Sequence, residues 1–217
     1  MELRGRQQEP PAGGRLQIDA SVYRIDWTDI QSALDLPCGN TLRVNLGKAR
    51  SQGFDLNLAA RLAGSVTLGL AVGYADAQYT ETAHGSGNAV LRPAGEPLGI
   101  APWTVVSSAQ YDFDLFGRSA YVRADHRYTS HDSTPLASSV ATTDLSIPRA
   151  PQSSNLDLRM GMQFGGVELS VFGANLTNQH PEFNRNRPVS YPPSEDSLYR
   201  GLAVRPRTFG LTAIYRM

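Results

Sequence analysis

Residues 53–74 read GFDLNLAARLAGSVTLGLAVGY. Phe54, Leu56, Leu58, Ala60 and Leu62 share one parity, and Asp55, Asn57, Ala59 and Arg61 share the other. After Ala63-Gly64-Ser65 the alternation resumes, with Val66, Leu68, Leu70, Val72 and Tyr74 opposite Thr67, Gly69, Ala71, Gly73 and Ala75. A period of two marks a β-strand with one apolar face. A helix would keep Phe54, Leu58 and Leu62 together but send Leu56 and Ala60 elsewhere, and the glycines at 64, 69 and 73 disfavour helix further. The stretch therefore predicts a hairpin of two long strands. Ordinary strands run about five or six residues, whereas strands that cross a bilayer at a tilt need roughly 9–11.

Outward from this hairpin the same pattern recurs. Glu2–Arg6 reads as a short strand before the Pro/Gly-rich turn Glu9–Gly14. Arg15–Trp27 follows with Leu16, Ile18, Ala20 and Val22 on one parity, which then switches to Tyr23, Ile25 and Trp27. Either a bulge or an exit from the apolar zone produces such a switch. Further strands are expected over Trp103–Leu115, Ala120–Tyr128, Asn155–Phe164, Val167–Leu176 and Arg207–Met217. Phe116-Gly117 and Gly165-Gly166 make short turns; Asp76–Leu98, Thr129–Pro151 and Thr177–Val204 are long polar connections, as is the stretch around Pro37, Cys38 and Gly39.

About nine strands result, joined alternately by short turns and long loops. That alternation describes the wall of an antiparallel up-and-down membrane barrel. A soluble β-sandwich would show the same binary pattern with its apolar side inward. Three features favour the membrane: strand length, strict loop alternation, and aromatics near strand ends (Tyr23, Trp27, Tyr74, Tyr79, Trp103, Tyr111, Phe113, Tyr128 and Tyr215). Charge placement agrees, because Asp55, Arg61, Arg123, Asp125, Arg127, Asp157 and Arg159 all oppose the apolar parity. An Arg facing lipid at mid-bilayer costs roughly 2–4 kcal/mol, so these residues belong in a wet lumen.

Composition narrows the function classes. The chain of 217 residues balances 20 basic against 20 acidic residues, which leaves no electrostatic case for nucleic acid. No apolar run reaches the length of a transmembrane helix, and no amino-terminal segment has the signal-peptide pattern. Cys38, the single cysteine, reads as a free thiol in a loop. His84, His126, His131 and His180 lack metal-ligand spacing and read as surface residues, so no metal or cofactor is expected. Gly85-Ser86-Gly87 reads as loop chemistry, and Asp112 and Asp114 as a hydrated strand face rather than an acid/base pair; no enzymatic activity is expected.

Several segments, in order, resemble the carboxy-terminal half of a TonB-dependent receptor, the large outer-membrane transporter barrel of Gram-negative bacteria. They are MELRGR, GRLQIDASVYRIDWTDIQ, VNLGKARSQGFDLNLAARL, FGANLTNQ and RPRTFGLTAIYRM. The resemblance covers essentially the whole chain. It departs at the end, where the family usually finishes on Phe and this chain on Met217, with Tyr215 keeping an aromatic two residues earlier.

By that resemblance the whole protein would be a plugged barrel of about 22 strands. Residues 1–217 would be the carboxy-terminal part of the wall, an incomplete barrel without plug or amino-terminal strands. Two unpaired edges in hydrocarbon would each leave backbone groups that cost several kcal/mol, so a fragment not competent alone is expected. The implied function is TonB-dependent uptake of a scarce nutrient such as a ferric siderophore. The implied partners are outer-membrane lipid and lipopolysaccharide, the plug and missing wall, TonB through the plug, and the barrel-assembly machinery through the last strand. A small passive porin-like barrel and a soluble β-rich binding module remain the alternatives. Arg185, Arg187, Tyr191, Tyr199 and Arg200 have the chemistry to grip an anionic or aromatic ligand, but packing of loops together or contact with lipopolysaccharide is the favoured reading. No ligand-binding residue is assigned.

Overall fold

The computed structural model describes residues 16–35, 41–45, 47–62, 65–88, 90–132, 150–186 and 200–216. Within them lie β1 (Leu16–Trp27), β2 (Gln31–Asp35), β3 (Thr41–Asn45), β4 (Ala49–Leu62), β5 (Val66–Tyr79), β6 (Ala83–His84) and β7 (Val90–Arg92). Then come β8 (Trp103–Leu115), β9 (Arg118–Thr129), β10 (Ser153–Phe164), β11 (Val167–Ala174), β12 (Glu182–Asn186), β13 (Arg200–Ala203) and β14 (Thr208–Tyr215). Eight of these form one sheet in the order β1-β4-β5-β8-β9-β10-β11-β14, every neighbouring pair antiparallel. The ninth expected strand, Glu2–Arg6, lies outside the described residues.

The central hairpin is longer than its sequence signal. It begins at Ala49 and ends at Tyr79, four to five residues beyond the apolar run at each open end. Short turns close the opposite end. Phe116 and Gly117 both have positive φ (53° and 71°), the signature of a two-residue turn whose twist matches its strands. At 165–166 only Gly165 is left-handed, at φ 60°.

Three small hairpins rise from the long connections: β2 with β3, β6 with β7, and β12 with β13. These connections were expected to be plain loops. Segment 95–102 also continues the wall, since Tyr79 N–H donates to Glu96 O at 2.9 Å, Leu98 N–H to Ala77 O at 2.9 Å and Ala75 N–H to Pro102 O at 2.9 Å.

The register decides the parity switch in β1. Pairing with β4 runs unbroken from Leu16↔Ala60 to Trp27↔Ala49, so no bulge intervenes. Arg24 and Asp26 therefore stay on the same side as Val22, just past the end of the apolar zone.

Cross-strand register carries one apolar parity over all eight strands. Leu58, Leu70 and Ser107 lie in line, as do Tyr111, Val122, Met160, Val171 and Leu211. No second layer covers this face among the described residues. Leu16, Val22, Met160, Val171, Phe209 and Leu211 are exposed, Leu211 at 83%, and no large side chain is fully buried. Among the described residues the one small apolar core holds Ala49, Tyr79 and Ala83 with Ile30, Leu91 and Leu98, at the base of the long connections. β1 and β14 each pair on one side only among the described residues, so the sheet is open.

Candidate functional site

The apolar face is bounded at both ends by aromatic rings. At the long-loop end Phe54, Tyr74 and Trp103 cluster, with ring centroids 5.8, 5.9 and 4.7 Å apart. At the short-turn end Tyr111 stacks on Phe113 at 5.4 Å, and the Arg118 guanidinium lies 5.0 Å over the Phe164 ring. Trp103 and Phe113 bracket most of β8; at about 3.3 Å per residue and a tilt near 40°, they stand about 25 Å apart in height. That matches the hydrocarbon band of an outer-membrane barrel. Immediately past the first aromatic cluster, Asp26 accepts from Arg24 Nε at 2.9 Å and from Arg50 Nε at 2.8 Å. Charge returns where the aromatic boundary ends.

The opposite face is polar and internally paired. Arg123 donates through Nε and Nη2 to Asp125 at 2.8 and 2.7 Å, and Gln110 Nε2 donates to Asp112 Oδ1 at 2.9 Å. Tyr121 O–H donates to Glu168 Oε1 at 3.0 Å, and Arg159 Nη1 to Ser170 Oγ at 3.1 Å. Glycine makes room for the tyrosine: a Cβ on Gly161, the cross-strand partner of Tyr121, would sit 2.6 Å from its ring. Asp112 thus sits in the polar-face network, and the exposed Asp114 shares its parity.

At the long-loop end, Asn175-Leu176-Thr177-Asn178 ties the end of β11 to β10 and to segment 204–206. Asn175 and Asn178 are both left-handed at φ 51°, a region asparagine tolerates better than most residues. Asn175 is buried. Its Nδ2 donates to Gln179 O at 2.9 Å and Arg205 O at 3.0 Å, and its Oδ1 accepts from Gln179 N–H at 3.1 Å and Thr177 Oγ1 at 3.2 Å. The Asn175 N–H donates to Asp157 Oδ1 at 2.8 Å, and Leu176 N–H to Leu156 O at 2.8 Å. Beneath this knot, on the polar face, is a cavity of about 310 Å³ lined by residues of β9 and β10 and by segment 204–206.

Of the residues singled out in the sequence, His84 Nδ1 lies 3.3 Å from Asn88 O, and His126 Nε2 lies 2.8 Å from Ser154 Oγ. His131 and His180 are exposed. No three His, Cys, Asp or Glu gather into a metal-binding group among the described residues. Arg185 lies in β12 and Arg200 in β13, while Arg187, Tyr191, Tyr199 and Cys38 lie outside the described residues. In the 80–102 connection, burial holds the Glu96 carboxyl above the usual carboxylate range, partly offset by Arg92 at 3.4 Å. The cavity was not read from the sequence; its only trace there was the FGANLTNQ segment.

The family model of the TonB-dependent receptor-like β-barrel matches residues 11–178. The chain belongs to this family. Among solved structures it is similar to the ferric yersiniabactin uptake receptor FyuA of Yersinia pestis, with a TM-score of 0.67 and 15% identity. That match covers 93% of this chain and 28% of the receptor. It is also similar to the copper transporter OprC, with a TM-score of 0.56, 17% identity, and coverage of 93% and 29%. At these identities the likeness shows the fold. The chain spans under a third of either protein's length. No curated protein matches it in sequence. As part of a TonB-dependent receptor barrel, the eight strands are wall, and the family is one of receptors and transporters.

Proposed function

We propose that this chain forms a section of the outer-membrane barrel wall of an energy-coupled receptor. Such a receptor takes up a scarce nutrient, a ferric siderophore or another metal complex, through TonB. The observation that carries the reading is the uncovered apolar face, about 25 Å tall between aromatic boundaries, whose reverse side is polar and ion-paired. The two similar structures, a ferric yersiniabactin uptake receptor and a copper transporter, support a metal complex as cargo. The open edges at β1 and β14 support completion of the wall by further strands, because unpaired backbone in hydrocarbon costs several kcal/mol per group. The lumen is then filled by a plug that meets TonB, and the polar face is the surface that plug packs against. The role is transport without catalysis. Outer-membrane fractionation combined with heat-modifiable mobility tests this: the completed barrel that contains this chain should require detergent for extraction and shift on heating. Recovery as a monomer in detergent-free buffer contradicts it, and unaltered growth under metal limitation on deletion contradicts the cargo class.

A further inference from the structure

The cavity beneath the Asn175 knot has a chemistry of its own. Its polar lining includes Arg127, Asn155, Asp157, Asn175, Gln179 and Arg205, beside two serines. Asn155 Oδ1 is buried and has no hydrogen-bond partner. Its amide nitrogen is committed, donating to Asp157 Oδ1 at 3.1 Å. The same carboxylate oxygen also receives the Asn175 N–H at 2.8 Å, so two donors offset the one acid in the lining. The guanidiniums of Arg127 and Arg205 are engaged in no hydrogen bond or ion pair among the described residues. Arg205 is nonetheless held in place, because its carbonyl oxygen accepts from Asn175 Nδ2 at 3.0 Å.

A buried acceptor left unpaired costs roughly 1–3 kcal/mol, which a ligand donor can recover. Unpaired guanidiniums match carboxylates in a planar, two-pronged geometry. At about 310 Å³ the cavity is at the small end of ligand pockets. We infer that it binds a compact hydroxycarboxylate, the carboxylates on Arg127 and Arg205 and the hydroxyl donating to Asn155 Oδ1. This rests on the polar face being water-filled lumen, and it adds a ligand chemistry that the wall fold alone does not specify.

The test uses protein extracted in detergent from the outer membrane, titrated calorimetrically with malate, with succinate (the same diacid without the hydroxyl) and with glucose. Malate should bind, succinate at least tenfold more weakly, and glucose should not compete. The double variant Arg127→Gln/Arg205→Gln, altered only at exposed side chains, should weaken malate at least tenfold and flatten its salt dependence. Asn155→Leu should reduce malate to the level of succinate. Equal affinity for malate and succinate, competition by glucose, or an unchanged double variant overturns the assignment. A heat-modifiable, membrane-extracted protein that ignores malate overturns this site alone. Protein that never enters the membrane overturns the barrel reading instead.

Discussion

On one side of β5 stand Val66, Leu68, Leu70, Val72 and Tyr74; on the other stand Thr67, Gly69, Ala71, Gly73 and Ala75. Both sets hang on one backbone with the same ladder bonds to β4 and β8. What separates them is what each side can tolerate nearby. The bulky set is continuous across eight strands and, among the described residues, has no protein layer over it. The small set continues into Arg123, Asp125, Asp157 and Arg159 on the neighbouring strands, which find partners within their own face. A soluble sandwich would invert this arrangement, sealing the bulky face against a second sheet. The difference teaches that the wall is stabilised by two solvents, and that parity decides which one each residue meets.

The sharpest way to break this comparison is to put charge on the wrong side. Leu70→Arg should cost about 2–4 kcal/mol in lipid vesicles, whereas Asn57→Arg on the polar face should stay within about 1 kcal/mol. Equal penalties in denaturant titrations would erase the distinction between the faces. A second test strikes the polar face where it is buried. Asn175→Ala removes both halves of a buried amide and leaves a left-handed residue without its preferred side chain, so a loss of about 1–3 kcal/mol is expected. Amide exchange should localise that loss to β10, β11 and segment 204–206. Gly161→Val forces the Tyr121 ring off its seat and breaks the bond to Glu168, for roughly 1–3 kcal/mol by overpacking.

The smallest effect concerns pH, outside the band. The Glu96 carboxyl has a raised value in the fold. The associated stability is therefore full below the ordinary carboxylate value and lost as pH rises through the raised one. Tyr79 and Leu98 amides, bonded at 2.9 Å to Glu96 O and Ala77 O, should exchange more slowly at acid pH after correction for intrinsic rates. Glu96→Gln should flatten that dependence.

The strand faces were legible because lipid and water impose opposite demands on alternate residues, so Phe54–Leu62 and Val66–Tyr74 announce themselves. The outer ends of β4 and β5 were not, because Arg50, Gln52, Asp76 and Gln78 occupy the parity that is apolar within the band, opposite the small Ala49, Ser51, Ala75 and Ala77. The hairpins β2–β3, β6–β7 and β12–β13 left no signal either. They stand in the polar connections, where neither face is required to be apolar. Asn175-Leu176-Thr177-Asn178 was visible as a family segment, yet its work as a knot depends on backbone carbonyls at 179 and 205 that no local pattern reveals. The cavity beneath it draws on β9, β10 and segment 204–206, so no single stretch of sequence could disclose it.

One measurement bears most directly on the two-faced wall. In a Cys38→Ser background, Leu70→Cys and Ala71→Cys place single thiols on adjacent residues of β5 that point to opposite sides. Reaction with a charged, water-soluble maleimide in intact vesicles should modify the thiol at 71 and spare the one at 70, while a lipid-phase quencher should reach a probe at 70 alone. Equal labelling of both positions, or labelling at 70 with protection at 71, contradicts the account.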